Sequence, residues 1–186
     1  MQQSGEHRIE APIDQVWRAL NDPEVLARCI DGCESLERVA DNAFKAKVRA
    51  KVGPVSALFS GDITMTDIDP PHAYTLQASA QGGAAGVGKG VARVRLRQDG
   101  AATVLSYDVE GSVGGKLAQV GQRLIDGAAR KMADDFFAAF SAQVSEANPD
   151  APAAAPAPQG GRPGWPLWAG VGLGAAIIVA IILLGR

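Results

Sequence analysis

The chain has 186 residues, 47% of them hydrophobic, which is enough for one full domain and an additional segment. A formal net charge of −2 excludes the global basic field expected of a nucleic-acid-binding protein. Two cysteines, Cys29 and Cys33, are too few for a disulfide framework, and the opening MQQSGEHRIEAP lacks the apolar stretch of a secretory signal. We therefore expect the first domain on the cytoplasmic side, with both thiols reduced and half-buried or buried.

Glu6 to Glu10 alternates, with His7 and Ile9 on one side, and reads as a strand. Pro12 opens a short helix through Leu20, with Asp14 in its first turn where a carboxylate suits the helix dipole. Asn21-Asp22-Pro23 ends that helix and starts a second one, Glu24 to about Cys29; Asp31-Gly32 is a turn. From Cys33 onward the period is two. Phe44, Ala46, Val48, Ala50 and Val52 form one inward row. Val55, Ala57, Phe59, Gly61, Ile63 and Met65 form the next, followed by Tyr74, Leu76, Ala78 and Ala80. A GGAAGVGKG segment at 82–90 reads as a flexible hairpin. Beyond it, Ala92, Val94 and Leu96, then Leu105, Tyr107 and Val109, complete the inward set. Consecutive strands joined by short turns imply an antiparallel meander with one wet face.

Gly114 to Val144 is the one long amphipathic stretch of this domain and is expected to be a single helix. Leu117, Val120, Leu124, Ala128 and Met132 share one face, drifting to Phe136, Phe137, Phe140 and Val144 in the last turns. Gly121 and Ala128 lie in the middle of that stripe, where glycine costs about 1 kcal/mol against alanine. We read the small residues as leaving room beneath a helix laid across a curved sheet. The fold class is α+β: a curved antiparallel sheet of about seven strands around a long C-terminal helix, with two short helices, over residues 1–147.

Residues 148–164, rich in proline and alanine, read as a linker that spans up to about 50 Å in polyproline II form. Residues 165–186 carry an uncharged apolar run from Trp165 to Leu184, about 30 Å long as a helix and matched to a bilayer core. Trp165 and Trp168 suit the interfacial belt, and Arg186 the far side. We expect a single C-terminal transmembrane anchor in the inner (cytoplasmic) membrane, with the preceding domain facing the cytoplasm.

Several chemical readings fail on these residues. Gly88-Lys89 lacks the Ser or Thr and the following helix of a phosphate loop. Cys29 and Cys33 with His7 and His72 lack the spacing of a metal site. No nucleophile–base–orienter set is visible. The basic strand residues Lys45, Lys47, Arg49, Lys51, Arg93, Arg95 and Arg97 either pair with Asp62, Asp108 and Glu110 across strands or meet anionic headgroups. On the long helix, Asp126 and Asp134 flank Arg130 at four-residue spacing, the pattern of a salt-bridged wet face.

Pro12-x-x-x-x-Trp17 followed by Leu20-Asn21-Asp22-Pro23-Glu24 resembles the opening of the START-like, helix-grip superfamily. CIDGCESLERV (29–39), KVGPVSALFSGDI (51–63) and GGKLAQVGQRLIDGAARKMADDFF (114–137) resemble the carbon monoxide dehydrogenase G-subunit family, across residues 5–145. The resemblance implies a non-catalytic accessory protein that accompanies a molybdenum hydroxylase of the carbon monoxide dehydrogenase type and is linked to its recruitment to the bilayer. The helix-grip fold implies an apolar cavity for a lipophilic small molecule. A respiratory quinone, held non-covalently, is the ligand that makes chemical sense; no covalently bound cofactor, metal or nucleic acid is expected. The inward rows supply the candidate lining: Phe44, Phe59, Ile63, Tyr74, Leu76, Leu96, Tyr107, Leu117, Gly121, Leu124, Ile125 and Met132. Two other readings share the fold, a recruitment adaptor without ligand and a cyclase-type enzyme; the latter needs polar groups inside the cavity.

Overall fold

Seven strands pair into one antiparallel sheet, the last five of them carried by the alternation of apolar and polar residues from Ala43 onward. The computed structural model describes residues 2–146. In chain order they form β1 (Gln2–Ile9), α1 (Ile13–Leu20), α2 (Pro23–Cys29), β2 (Cys33–Ala40), β3 (Ala43–Val52), β4 (Val55–Asp69) and β5 (Ala73–Gln81). A one-turn 3-10 helix at Gly83–Ala85 leads into β6 (Val87–Asp99), β7 (Ala102–Gly114), α3 (Lys116–Val120) and α4 (Gln122–Glu146). The sheet order is β1-β7-β6-β5-β4-β3-β2, so β1 and β2 are its edges. The first strand begins at Gln2, earlier than its alternation suggests, because β7 is long enough to pair it along the whole run from Gln2↔Glu110 to Ile9↔Thr103.

Local signals explain the element ends. Asp22 caps α2 by accepting from the Glu24 and Val25 amides, and Pro23 occupies the first helical turn, where its missing N–H is not needed. Pro12 stands at the N-cap of α1, one residue outside the helix it was expected to open. The Pro70-Pro71 pair, with a cis bond between them, separates β4 from β5. The segment at 82–90 is no loose hairpin. Val87–Gly90 is regular β6, paired with both β5 and β7, and its turn is held by a close backbone approach. Gly86 has φ +120°, and a Cβ there would sit 1.9 Å from the Gly114 carbonyl oxygen, so only glycine fits.

The concave face of the sheet and α4 share one core. Phe59, Phe136, Phe140, Leu105, Leu117 and Ile125 are fully buried in it, each contributing about 1.5–3 kcal/mol by burial. The convex face is wet and paired across strands: Lys45–Asp62 at 3.4 Å, Arg93–Glu110 at 3.2 Å and Arg95–Asp108 at 3.9 Å, as the alternation predicts. On α4 the ion pair is Lys131–Asp135, while Asp126 accepts from Gln122; the expected Arg130 pairing with Asp126 and Asp134 is not made among the described residues.

The expected single long helix is two. Gly121 has φ +97° and breaks it between α3 and α4. The break turns α4 so that Ile125, Ala129, Ala133, Phe136, Phe137, Phe140 and Val144 face the core. Leu124, expected on the inward stripe, is 52% exposed instead. Gly121 itself is exposed and a Cβ on it would meet nothing, so it makes no room for a cavity; its role is the break.

The linker at 148–164 and the membrane span at 165–186 lie outside the described residues. Among those described, no helix is long and apolar enough to cross a membrane.

Candidate ligand-binding site

Alternation along seven strands points one side chain in two at α4, which is why the apolar rows converge on a single interior. Of the expected lining, Phe44, Phe59, Ile63, Tyr74, Leu96, Tyr107, Leu117 and Ile125 are buried there. Leu76 and Met132 are half-buried and pack against that core. Gly121 and Leu124 lie outside it, for the helix-register reason given above. Leu117 is the inward residue of α3 and is wholly buried, closing the interior at that end.

Two phenols are the polar groups in this apolar set. Burial alone pushes the Tyr74 hydroxyl far above its ordinary pKa, so it is a neutral donor at any physiological pH. Trp17 packs edge-on to Tyr74, with ring centroids 5.5 Å apart and planes at 71°. The Tyr107 pKa is raised too, by burial first and by the nearby Asp134 second. Neither hydroxyl is a buried polar atom without a partner; among the described residues that atom is Gln3 Oε1.

Tyr107 also reaches a crevice of about 520 Å³ between edge strand β1 and helix α4. Its walls are Gln2, Gln3, Ser4, Gly5, Glu6 and His7 from β1, with Asp126, Arg130 and Asp134 from α4. His7 lies against Phe137, centroids 3.6 Å apart and planes within 24°, and Tyr107 lies 5.7 Å from the same ring. Burial lowers the His7 pKa, only partly offset by Asp134, so the imidazole is neutral near pH 7. Gln3 Oε1 is buried without a partner in the same strand. This volume lies within the range of small-molecule sites, about 300–1,000 Å³.

Alternation alone does not reveal this crevice. His7 is visible in the sequence as the partner of Ile9 on one strand face, but nothing local places β1 beside β7 or beneath Phe137. That requires the first strand to return to the last one, a pairing about a hundred residues apart in sequence. The cysteines match their expected burial: Cys29 is buried and Cys33 half-buried, both free. Burial pushes the Cys29 thiol up to about 11, far from a reactive thiolate.

A curved antiparallel sheet gripping a C-terminal helix, with an apolar concave face, defines the START-like class. A START superfamily protein from Mycobacterium smegmatis shares the fold, with TM-score 0.61, 13% identity, and 79% of this chain and 99% of that one covered. A protein from Thermus thermophilus is similar to the same degree, with TM-score 0.60, 16% identity, and 80% and 99% covered. A conserved protein from Geobacillus kaustophilus is more similar in sequence, with 30% identity, TM-score 0.75, and 79% and 97% covered. No curated protein matches the chain. Residues 5–145 match the carbon monoxide dehydrogenase G-subunit (CoxG) family, and the chain belongs to that family. The family's name ties it to the carbon monoxide dehydrogenase system as an accessory subunit.

Proposed function

We propose that this protein is a non-catalytic accessory subunit that holds a lipophilic small molecule, a respiratory quinone, between the curved sheet and α4. In this reading it is tethered to the inner membrane by residues 165–186 and couples a molybdenum hydroxylase of the carbon monoxide dehydrogenase type to the bilayer. The observation that supports the ligand reading is the set of apolar rows converging on one interior, with Tyr74 and Tyr107 as neutral donors at its margin. A quinone presents two carbonyl acceptors on an apolar ring and needs donors of that kind. Passing such a ligand from bilayer to apolar interior changes little hydrocarbon burial, whereas water would oppose it by about 0.8 kcal/mol per methylene.

The route in runs past α3. This five-residue helix is bounded by glycines with positive φ, Gly115 at +77° and Gly121 at +97°, and plugs the interior with Leu117. Its rotation about these ends would uncover the apolar core around Leu117 while leaving α4 on the sheet. Gly121→Leu, the substitution a continuous helix would suggest as a block, fills no cavity. Ala129→Phe is the informative change, because Ala129 is fully buried on the inward face of α4. Titration of the full chain in detergent with a short-tailed quinone should saturate at one per chain, and Ala129→Phe should weaken binding at least tenfold. Non-saturable partitioning, equal in both proteins, would refute the interior site.

A further inference from the structure

The cations of this fold are unevenly committed. Most of those on the sheet's convex face are paired, Lys45 with Asp62, Arg49 with Glu34, Arg93 with Glu110 and Arg95 with Asp108, while Lys47 and Arg97 form no ion pair among the described residues. Lys51, Lys89, Lys116 and Arg123 form no ion pair among the described residues, and all four belong to one end of the molecule. Three segments meet there: the β3–β4 turn, the β5–β6 turn and the α3–α4 junction, with α3 packed against β4 and the 3-10 turn. A Cβ on Gly53 would touch Val120 Cγ1 at 3.2 Å and Leu124 Cδ1 at 3.4 Å, and one on Gly115 would lie 2.6 Å from Gly86 Cα, which fixes the three together.

Residues 51–58, 81–91 and 111–125 contain these four cations and not a single carboxylate, in a chain whose net charge is −2. The same end exposes apolar side chains: Leu124 is 52% exposed and Val87 49%. The opposite end carries Asp41, Asp69 and Asp99 at its three turns. Helix α4 runs between the two ends and finishes at the acidic one, where Gln15 Nε2 donates to the Val144 carbonyl at 2.9 Å.

We propose that the basic, apolar-tipped end is a docking face for an anionic bilayer surface, with Leu124 and Val87 entering the headgroup layer and the four cations meeting lipid phosphates. The match is one of charge and polarity: net positive, with Glu110 and Asp126 at its border, and rimmed with exposed aliphatic groups. It holds whatever the interior carries. Helix α4, about 37 Å long, finishes at the far end, at Glu146. Each cation near an anionic surface contributes about fivefold to partitioning, so four of them dominate the contact.

The test is hydrogen exchange of the full chain on vesicles of phosphatidylcholine with and without phosphatidylglycerol. Amides of residues 51–55 and 116–124 should exchange at least threefold more slowly with phosphatidylglycerol present, and 0.5 M salt should remove that difference. A Lys51→Glu, Lys89→Glu, Lys116→Glu, Arg123→Glu variant should lose it, whereas Lys47→Glu with Arg97→Glu, on the convex face, should keep it. Equal exchange on both vesicle types, or equal loss in both variants, would overturn the proposal. Protection that appears only when the partner dehydrogenase is added would assign this end to a protein contact and overturn it too. Should the fourfold variant exchange globally, as an unfolded chain does, the salt series on the wild type decides alone.

Discussion

Two glycines six residues apart on the roof of this fold should respond to alanine with opposite signs. Gly121 and Gly127 both have open space where a Cβ would go, so neither substitution meets a steric clash. They differ in backbone alone. Gly121 has φ +97° and ψ 141°, a region that side chains enter at about 1–3 kcal/mol. Gly127 lies inside α4 without positive φ. Alanine reduces the freedom of the unfolded chain by about 0.4–1 kcal/mol at either site. Gly121→Ala should therefore destabilise by about 1–2 kcal/mol, while Gly127→Ala should stabilise by about 0.5–1 kcal/mol. In thermal melts the two variants should bracket the wild type, with each kcal/mol worth about 3–4 °C in a domain of this size. Urea titrations with unchanged slope would confirm that stability and not compactness has moved. If Gly121→Ala stabilised the protein as Gly127→Ala does, α3 and α4 would be one helix, and Leu117, Val120, Leu124, Ala128 and Met132 would be its inward stripe after all.

Gly86→Ala combines a positive φ with a Cβ 1.9 Å from a backbone oxygen that cannot step aside, and should destabilise by about 2–5 kcal/mol in denaturant melts. Retained stability would mean that the turn does not press on Gly114. His7, held neutral by burial, takes up a proton less readily folded than unfolded. The unfolded chain thus binds more protons as pH falls through about 6.5, and the folded state loses stability in that window. His7→Gln should lack that component, so the wild-type-minus-variant stability difference should fall between pH 7 and pH 5; a flat difference would place His7 in water.

Most of the fold is legible in short-range patterns. Lys45, Arg93 and Arg95 alternate with apolar neighbours, and this places both the buried rows and the cross-strand pairs with Asp62, Glu110 and Asp108. The two short helices follow from Pro12 and Asp22-Pro23. The stripe on the long helix misleads because two faces of it are apolar, and a glycine that breaks a helix looks in sequence like one that only weakens it. For that reason the stripe puts Leu124 inside when it lies outside. The glycines at 82–90 suggest mobility because their partner, Gly114, lies far along the chain. The crevice under β1 is hidden by the same kind of distance: His7, Tyr107 and Phe137 come together only when the first strand closes on the last and α4 lies over both.

The claim on which the functional account rests is that the interior beneath α4 holds a quinone. Mass spectrometry of an organic extract from the full chain, purified from membranes, measures this most directly. The account predicts a quinone at close to one per chain, reduced at least tenfold in Ala129→Phe purified alongside. An extract free of quinone, or one equally loaded in both proteins, would contradict it.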